Sequence, residues 1–385
     1  MNNLSIEICE RIKSVIGDSK VGLHEPFFDS LEKENLSSCI DSSYVSSIGE
    51  YVNDFEKMIE DFTKSKKAIA LVNGTSALHL ALKISGINPD EEIICPSLTF
   101  IATANAISYM NAKPHFVDIN ENTLRIDPLA LENWLDKIII NKKGKSINKN
   151  TGRSVSAIIP MHTFGHPLEI NSIVKIAEKY NLIVIEDAAE SLGSLYEGKH
   201  TGTFGKIGVL SFNGNKIVTT GGGGALITND LEVASLAKHF SSTAKVQHKW
   251  KLIHDQIGFN YRMPNLNASI GCAQMKKLPS FIESKRNLFL KYKEAFKSLL
   301  GVRIFSEPAN SRSNYWLQTL ILDKGYESEI ENILEISNKE GLMTRPSWEP
   351  MHHLPMFKNC PKAPLPNTES LAKRIINIPS SAFLV

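Results

Sequence analysis

Short β-branched runs alternate with helical patterns from about residue 68 onward. The strand-like runs include AIALV, EIICP, KPHFVDI, VSAIIP, NLIVIED, IGVLSFN and GALITN, and segments such as GTSALHLALKISG and TFIATANAISYM carry the apolar spacing of helices. This alternation predicts an α/β domain with a parallel sheet covered by helices. In such a sheet, functional residues are expected at the carboxyl ends of the strands.

The remaining segments predict a second, smaller unit. LPSFIESKRNLFLKYKEAFKSLL has the pattern of a long amphipathic helix, YWLQTLIL that of a strand, and ESEIENILEISNKEG that of a helix closed by Gly341. Residues 141–154 are polar and predict a surface loop. We expect an N-terminal arm with substrate-site loops (1–50), a large cofactor-binding α/β domain (51–265), and an interdomain helix with a small C-terminal domain (266–385).

Composition changes this picture little. The 385 residues are 42% hydrophobic and 22% charged, with 43 basic and 41 acidic side chains. These values indicate neither extended disorder nor a surface for nucleic acid. The five cysteines are scattered and none is spaced as CxxC, which disfavours a disulfide scaffold and a metal site. We expect a cytoplasmic protein without a leader peptide or a membrane span.

Lys216 stands in the polar stretch SFNGNKIVTTGGGGAL, and Asp187 ends the apolar run NLIVIED. In isolation, Lys216 is typical of a solvated surface lysine and Asp187 of a helix cap. Taken together, they suit a pyridoxal phosphate site, in which a carboxylate keeps the ring nitrogen protonated and a lysine binds the aldehyde carbon.

The NGTSAL segment offers a phosphate site. Gly74 permits a close backbone approach, and Thr75 and Ser76 open a helix whose free N–H groups attract an anion. Ser211 and Asn213 add a hydroxyl and an amide donor near Lys216. The alternative is an ordinary helix N-cap.

Two further features have open interpretations. The glycine run 221–224 lacks the spacing of a dinucleotide-binding loop and is interpreted as a tight turn whose backbone crowds a bound ligand. Phe100 follows a predicted strand, where it could stack on a cofactor ring or belong to the core.

Together these pieces resemble the pyridoxal-phosphate-dependent nucleotide-sugar aminotransferases of the DegT/DnrJ/EryC1/StrS family. The resemblance extends over nearly the whole chain, through LHEPFF, SSYVSSIGEYVNDFE, NGTSALHLAL, PSLTFIATANAI, HTFGHP, IEDAAESLGS, TFGKIGVLSFNGNKIVTTGGGGAL, GFNYRMPNLNASIG and IPSSAF. It implies the aspartate aminotransferase type I fold: a large domain with a mixed, mainly parallel seven-stranded sheet, and a small C-terminal α+β domain.

The resemblance also implies roles for individual residues. Lys216 would bind the cofactor and shuttle protons, Asp187 would pair with the pyridine nitrogen, and Phe100 would stack on the ring. The phosphate binders implied within one subunit are Gly74, Thr75, Ser76, Ser211 and Asn213. Asn260 would reach the phosphate of the neighbouring subunit, which implies a homodimer with shared sites.

Glu190 takes the place where many relatives carry glutamine, facing the phenolic oxygen of the cofactor. A carboxylate there would repel a phenolate, so a shared proton is expected. Some relatives carry histidine in place of the lysine and perform dehydration, whereas this chain has Lys216.

The usual reaction of the family replaces a ketone on a nucleotide-linked hexose by an amine from L-glutamate, through pyridoxamine phosphate. LHEPFF, NSRSNYWL and TRPSWEPMH are similar to the branch that acts on UDP-2-acetamido-2,6-dideoxy-hexos-4-ulose. Its product, UDP-4-amino-4,6-dideoxy-N-acetylglucosamine, is a precursor of legionaminic acid or bacillosamine in bacterial surface polysaccharides.

Several polar and aromatic residues are candidates for substrate contact, because a diphosphate favours guanidinium groups and a base or sugar favours an aromatic plane. They are His162, Arg262, Arg312, Asn314, Trp316, Arg345 and His352. Each could equally be a packing residue. Alternatives to the UDP-linked substrate are another ketosugar, of the GDP-perosamine or pseudaminic acid type, and a non-catalytic relative that only binds a sugar nucleotide.

Overall fold

The computed structural model describes residues 4–385. The helices are α1 (Leu4–Ile16), α2 (Ser30–Asp41), α3 (Glu50–Thr63), α4 (Gly74–Ile84), α5 (Ile101–Tyr109), α6 (Pro128–Ile138), α7 (Ile170–Lys179), α8 (Leu231–Ser241), α9 (Asn265–Phe296), α10 (Ile330–Lys339) and α11 (Pro366–Ala372). The strands are β1 (Lys67–Leu71), β2 (Glu92–Pro96), β3 (Lys113–Val117), β4 (Ile139–Lys142), β5 (Lys145–Asn148), β6 (Val155–Ile158), β7 (Ile183–Asp187), β8 (Leu195–Tyr196), β9 (Lys199–His200), β10 (Ile207–Ser211), β11 (Gly224–Thr228), β12 (Lys245–Val246), β13 (Ile253–His254), β14 (Val302–Ile304), β15 (Ser311–Arg312), β16 (Gln318–Leu322), β17 (Arg345–Pro346) and β18 (Ile375–Ile378).

Seven strands form the central sheet, in the order β1-β11-β10-β7-β6-β2-β3. Strand β11 pairs antiparallel with both of its neighbours, while β10, β7, β6, β2 and β3 pair in parallel. The sheet is therefore mixed and mainly parallel, and the predicted α/β fold class is confirmed.

Helices cover both faces of this sheet because alternate strand residues point to opposite sides. Ile93 and Cys95 of β2 pack in one apolar cluster with α4, α5 and α8, whereas Ile94 packs in another with α6 and α7. A third cluster joins the sheet to α3 and α9, where Phe55 is fully buried. The carboxyl ends of the parallel strands are left uncovered by these layers.

A second, four-stranded antiparallel sheet has the order β14-β16-β18-β17. The predicted helix over 278–300 overlaps α9, which begins earlier, at Asn265, continues through Pro279 and ends at Phe296. Helix α1 packs with α9, α10 and β18, and its Ile8 and Ile12 are fully buried in that cluster. The boundaries at residues 50 and 265 stay a prediction, and residues 1–3 of the first range lie outside the described residues.

The polar segment 141–154 is not the predicted loop, because most of it belongs to the β4–β5 hairpin. Fully buried Glu92 anchors the end of this hairpin, accepting a 2.8 Å hydrogen bond from Asn148 and a 2.5 Å bond from Thr151. Two polar residues of this segment therefore satisfy a buried carboxylate, which sequence composition does not reveal.

In the described part of the chain, no helix is both long enough and apolar enough to cross a lipid bilayer.

Candidate active site

A cavity of about 660 Å³ lies where β7 and β10 end and α4 begins. Asp187 is the last residue of β7, Ser211 is the last residue of β10, and Gly74 is the first residue of α4. Residues 316–317 and 345–348 line it from the C-terminal part of the chain. Its position at the carboxyl ends of parallel strands is the one expected for a ligand site in such a sheet.

Asp187 lies in the wall of this cavity, and the residue is only 3% exposed. Its Oδ2 accepts a hydrogen bond of 2.7 Å from the Thr103 hydroxyl, and Oδ1 accepts one of 3.2 Å from the Ala189 N–H. Burial raises the pKa of Asp187, and the two hydrogen bonds oppose that rise. Residues 188–194 form turns, so the alternative of a helix cap is not what the structure shows.

Lys216 lies in the loop between β10 and β11 and points into the cavity. Its Nζ is 3.2 Å from Oε1 of Glu190 and 3.8 Å from the ring centroid of Trp316. The side chain is 12% exposed, so Lys216 is not the solvated surface lysine of the alternative interpretation.

Glu190 is the second buried carboxylate of the site. Its Oε2 accepts a hydrogen bond of 2.8 Å from the N–H of Phe164, and Oε1 faces Lys216. Burial raises the pKa of Glu190, the Lys216 ammonium lowers it, and the Asp187 carboxylate raises it. Two acids and one lysine thus share a poorly solvated space, which favours retention of a proton.

The start of α4 lies directly against the end of β10. A Cβ at Gly74 would be 3.1 Å from Cβ of Ser211, so glycine permits this approach. Gly74, Thr75, Ser211 and Asn213 line the cavity. Ser76 does not line it, and its N–H donates to the Asn73 side chain, which caps the helix; its role as a phosphate binder stays a prediction.

Aromatic and basic side chains form the opposite wall. Phe100 is 47% exposed, lines the cavity, and lies edge-on to Trp348 with ring centroids 6.4 Å apart. The core alternative for Phe100 is therefore excluded.

Trp316 is held by a 2.7 Å hydrogen bond from its Nε1 to the carbonyl of Asn215. Arg345 lines the cavity and donates to Asn338 and to the Thr344 carbonyl.

Comparison with known proteins identifies the family. Residues 27–384 match the model of the DegT/DnrJ/EryC1/StrS aminotransferase family. The chain belongs to this aminotransferase family. The protein is a pyridoxal-phosphate-dependent sugar aminotransferase.

Relatives are similar over nearly the full length of this aminotransferase. GDP-perosamine synthase of Escherichia coli O157:H7 is 38% identical over 362 residues, which are 94% of this chain and 93% of the relative. EpsN of Bacillus subtilis (strain 168) is 38% identical over 338 residues, 88% of this chain and 84% of the relative. Helicobacter pylori PseC, an aminotransferase involved in the biosynthesis of pseudoaminic acid, has a solved structure with a TM-score of 0.85, 26% identity and 94% coverage of each chain.

The residues of the aminotransferase cavity fit the cofactor. The close approach that Gly74 allows puts the start of α4, the hydroxyls of Thr75 and Ser211 and the amide of Asn213 on one side, as a phosphate requires. The buried carboxylate of Asp187 has no cationic partner within 4.0 Å among residues 4–385, so it suits a protonated ring nitrogen. Lys216 supplies the amine.

Three residues predicted to contact substrate are buried, and their side chains form hydrogen bonds within the protein. The His162 ring bonds Glu186 through Nε2 and accepts from the Leu168 N–H through Nδ1. The Asn314 amide donates to the Glu190 and Leu192 carbonyls. His352 bonds the Ser97 hydroxyl at 2.7 Å, and none of the three lines the cavity. Their polar atoms bond within the protein and they lie outside the cavity lining, so their contact with substrate stays a prediction.

Three other predicted residues lie outside the cavity of this chain. Arg312 is exposed on β15, and Arg262 forms an ion pair with Glu56, 3.2 Å apart. Asn260 is exposed and bridges to Ser242 on the same side as the β12–β13 hairpin. Their predicted contacts with a nucleotide, or with a neighbouring subunit, stay predictions.

Two glycines of the run permit close contacts within the chain. A Cβ at Gly224 would lie 2.5 Å from the Asn73 carbonyl carbon, and one at Gly223 would lie 2.1 Å from Oγ1 of Thr220. The predicted contact of this run with a bound ligand stays a prediction.

The sequence interpretation missed Thr103, Phe164 and Asn215. Thr103 is a buried polar residue in the otherwise apolar start of α5, which was the available signal. Phe164 has a left-handed backbone (φ 56°), which turns its N–H toward Glu190. Asn215 acts through its carbonyl, and no side-chain pattern could have indicated that.

Proposed function

We propose that the enzyme transfers the amino group of L-glutamate to the C4 ketone of a nucleotide-linked 4-keto-6-deoxyhexose. The observation that carries the proposal is the meeting of Lys216, Asp187 and Glu190 in one cavity beside an anion-binding helix start. Family membership supports the reaction type, and the names of the relatives support the sugar class.

Pyridoxal phosphate, when bound, supplies an electron sink for the carbon that gains or loses the amino group. Asp187 would hold a proton on the ring nitrogen, since a buried carboxylate is stabilised by an adjacent cation. Lys216 would bind the cofactor and, once released, hold and move a proton at Nζ. Glu190, 3.2 Å from that nitrogen, would orient it and share its proton.

The other residues that line the cavity would bind and orient the cofactor and the sugar nucleotide. Gly74, Thr75, Ser211 and Asn213 would hold the phosphate, and the exposed ring of Phe100 would lie against the cofactor. Trp316, Trp348 and Arg345 would receive the sugar nucleotide, through ring faces and one guanidinium group.

Two sugar nucleotides are candidates. The GDP-linked one, GDP-4-keto-6-deoxymannose, is favoured by three GDP-perosamine synthases with 38%, 33% and 32% identity over 94–95% of this chain. The UDP-linked one, UDP-2-acetamido-2,6-dideoxy-hexos-4-ulose, is favoured by the sequence segments LHEPFF and NSRSNYWL and would lead toward legionaminic acid or bacillosamine. We place the GDP-linked sugar first.

A homodimer is part of the proposal. Trp250, Leu252 and Ile257 are exposed on and after the β12–β13 hairpin, and Asn260 follows directly. A second copy would cover these apolar side chains and would let Asn260 reach the partner's cofactor phosphate. We further propose a cytoplasmic location, because all five cysteines are free thiols.

The test is product mass from the purified holoenzyme with L-glutamate and each ketosugar in separate reactions. We expect a ketone-to-amine mass change, with the preferred sugar turned over at least about tenfold faster, which corresponds to 1.4 kcal/mol. Lys216→Ala should abolish turnover, while Lys206→Ala, which removes an exposed lysine just before β10, should not.

Undiminished turnover by Lys216→Ala would refute the assignment of the site. Turnover of the UDP-linked sugar alone would reverse the order of the two candidates and keep the reaction. If neither sugar reacts but glutamate still bleaches the cofactor absorbance, the sugar assignment is wrong.

A further inference from the structure

A second cavity, of about 510 Å³, lies apart from the active site. Segments 120–128, 167–169, 196–197 and 308–311 line it, none of which contributes to the active-site cavity. It therefore lies between the β3–α6 connection, the start of α7 and the loop before β15. We call it the Arg125 cavity.

Arg125 lines this cavity but is only 2% exposed. Its Nε and Nη2 are enclosed and donate no hydrogen bond within the described chain. In residues 4–385 no carboxylate lies within 4.0 Å of the guanidinium, and the centroid of the Phe305 ring is 6.0 Å from its central carbon. Burial lowers the pKa of Arg125 to about 9, so the group remains charged at neutral pH.

The groups around Arg125 do not neutralise it. Asp127 caps α6 and accepts from Asn120, and Glu307 is occupied by a bidentate ion pair with Arg286 at 2.8 Å. His166 is buried, and both ring nitrogens are enclosed without a partner. Burial, Arg125 and Arg286 lower the pKa of His166 well below its ordinary value, so the ring is neutral.

An isolated buried guanidinium beside a cavity is costly unless an anion pairs with it. Arginine, with its fork of N–H donors, is the side chain that best matches a carboxylate. We propose that the Arg125 cavity binds a small carboxylate, with its anionic end on the guanidinium of Arg125.

The cavity rim limits the charge of the ligand. Glu169 and Glu197 line the same cavity and are exposed; Ser172 donates to the first and Asn171 to the second. These carboxylates repel a dianion such as phosphate and attract an amino group placed at the opposite end of the ligand. The preferred ligand therefore carries one negative charge inside, and an amine toward the rim strengthens binding.

The test compares three probes on the holoenzyme by calorimetry: propionate, β-alanine and inorganic phosphate. We expect β-alanine to bind more tightly than propionate, and both more tightly than phosphate.

Arg125→Met should lower the affinity for the two carboxylates by about tenfold or more, because a charged hydrogen bond is lost. Arg125→Lys, a second variant in case the methionine protein does not fold, should weaken them less. Arg153→Met, which removes a partly exposed guanidinium 3.9 Å from Glu92 and outside both cavities, should leave the affinity for all three probes unchanged.

A matched variant separates this cavity from the active site. Arg345→Met alters the only arginine that lines the active-site cavity among the described residues. Binding that survives Arg125→Met and is lost in Arg345→Met would overturn the proposal, as would the absence of carboxylate binding by the wild-type enzyme. A change in cofactor absorbance that follows the binding heat, with affinity unchanged in Arg125→Met, would place the probes in the active site and overturn the proposal.

Discussion

At the scale of single residues, the active site combines two buried carboxylates with one amine. Glu190 and Asp187 both carry a pKa raised first of all by burial, and both are drawn back by Lys216. In this poorly solvated site, ionisation of one carboxyl group raises the pKa of the other. Each carboxylate accepts two hydrogen bonds that favour its charged form: Asp187 from Thr103 and Ala189, and Glu190 from Phe164 and Lys216.

The raised pKa of Glu190 has a consequence for stability. The folded protein holds the Glu190 proton more tightly than the unfolded chain does, so stability is lost as pH rises from the ordinary glutamate range through the folded-state pKa. The Glu190→Gln variant has no proton to lose at this position. We therefore expect its free energy of unfolding, relative to that of wild type, to increase with pH and then level off. Thermal unfolding of both proteins without added cofactor, from about pH 4 to 8, measures the difference.

Glu178→Gln is the matched control, because Glu178 is an exposed glutamate on α7. Its stability difference from wild type should stay near zero throughout. A Glu190→Gln curve parallel to wild type at every pH would contradict the role assigned to burial.

At the scale of elements, the loop that carries Lys216 is fixed at both ends by the same sheet. Strands β10 and β11 pair antiparallel, and β11 pairs again with β1, which leads into α4. The lysine and the helix start that faces it are therefore positioned by one continuous set of strand pairings, and Gly224, the first residue of β11, packs against the backbone of Asn73 and Gly74.

Gly224→Ala should disrupt this contact. The new Cβ would meet Asn73 and Gly74 backbone atoms at 2.5–2.6 Å, so we expect a loss of roughly 3 kcal/mol in unfolding free energy, at the upper end for overpacking. Gly222→Ala, whose Cβ meets only the Val72 carbonyl at 3.9 Å, should change stability by about 0.5 kcal/mol or less. Urea unfolding of both variants tests this, and equal midpoints would show that the contact is not tight.

The sequence predicts elements well where burial imposes a period. The parallel strands and helices α4, α7 and α10 lie close to their predicted places, because apolar spacing carries that information. The β4–β5 hairpin was missed because the segment is polar, and composition does not reveal that Asn148 and Thr151 bond the buried Glu92 carboxylate. The role of Asn314 is equally hidden from sequence: an asparagine that donates to two backbone carbonyls has the same letter as one that meets a ligand.

At the scale of the whole molecule, the β12–β13 hairpin leaves large apolar side chains in solvent. Trp250 is 72% exposed, Leu252 75% and Ile257 86%. Large clustered apolar side chains of this kind mark interaction sites, and an aromatic residue at the centre of an interface contributes most to its affinity.

We expect a Trp250→Ser, Leu252→Ser double variant to dissociate the proposed dimer. A loss of about 2 kcal/mol or more corresponds to a dissociation constant roughly thirtyfold higher. Sedimentation analysis over a concentration series measures it, and aminotransferase activity should fall with the dimer fraction because the sites are shared. Leu300→Ser, which changes an 84% exposed leucine elsewhere, is the control. A wild-type monomer would refute the dimer.

The topology of the four-stranded sheet sets the order in which parts of the protein can fold during synthesis. Its third strand, β18, lies between β16 and β17 and packs with α1, which is far away in the chain. During synthesis, α1 is made long before β18, so Ile8 and Ile12 of α1 stay partly uncovered until β18 has been made. The large sheet has all its strands by residue 228, well before β18 is made. A chain whose synthesis stops before β18 would therefore expose the apolar side chains of α1, α9 and α10 that β18 covers.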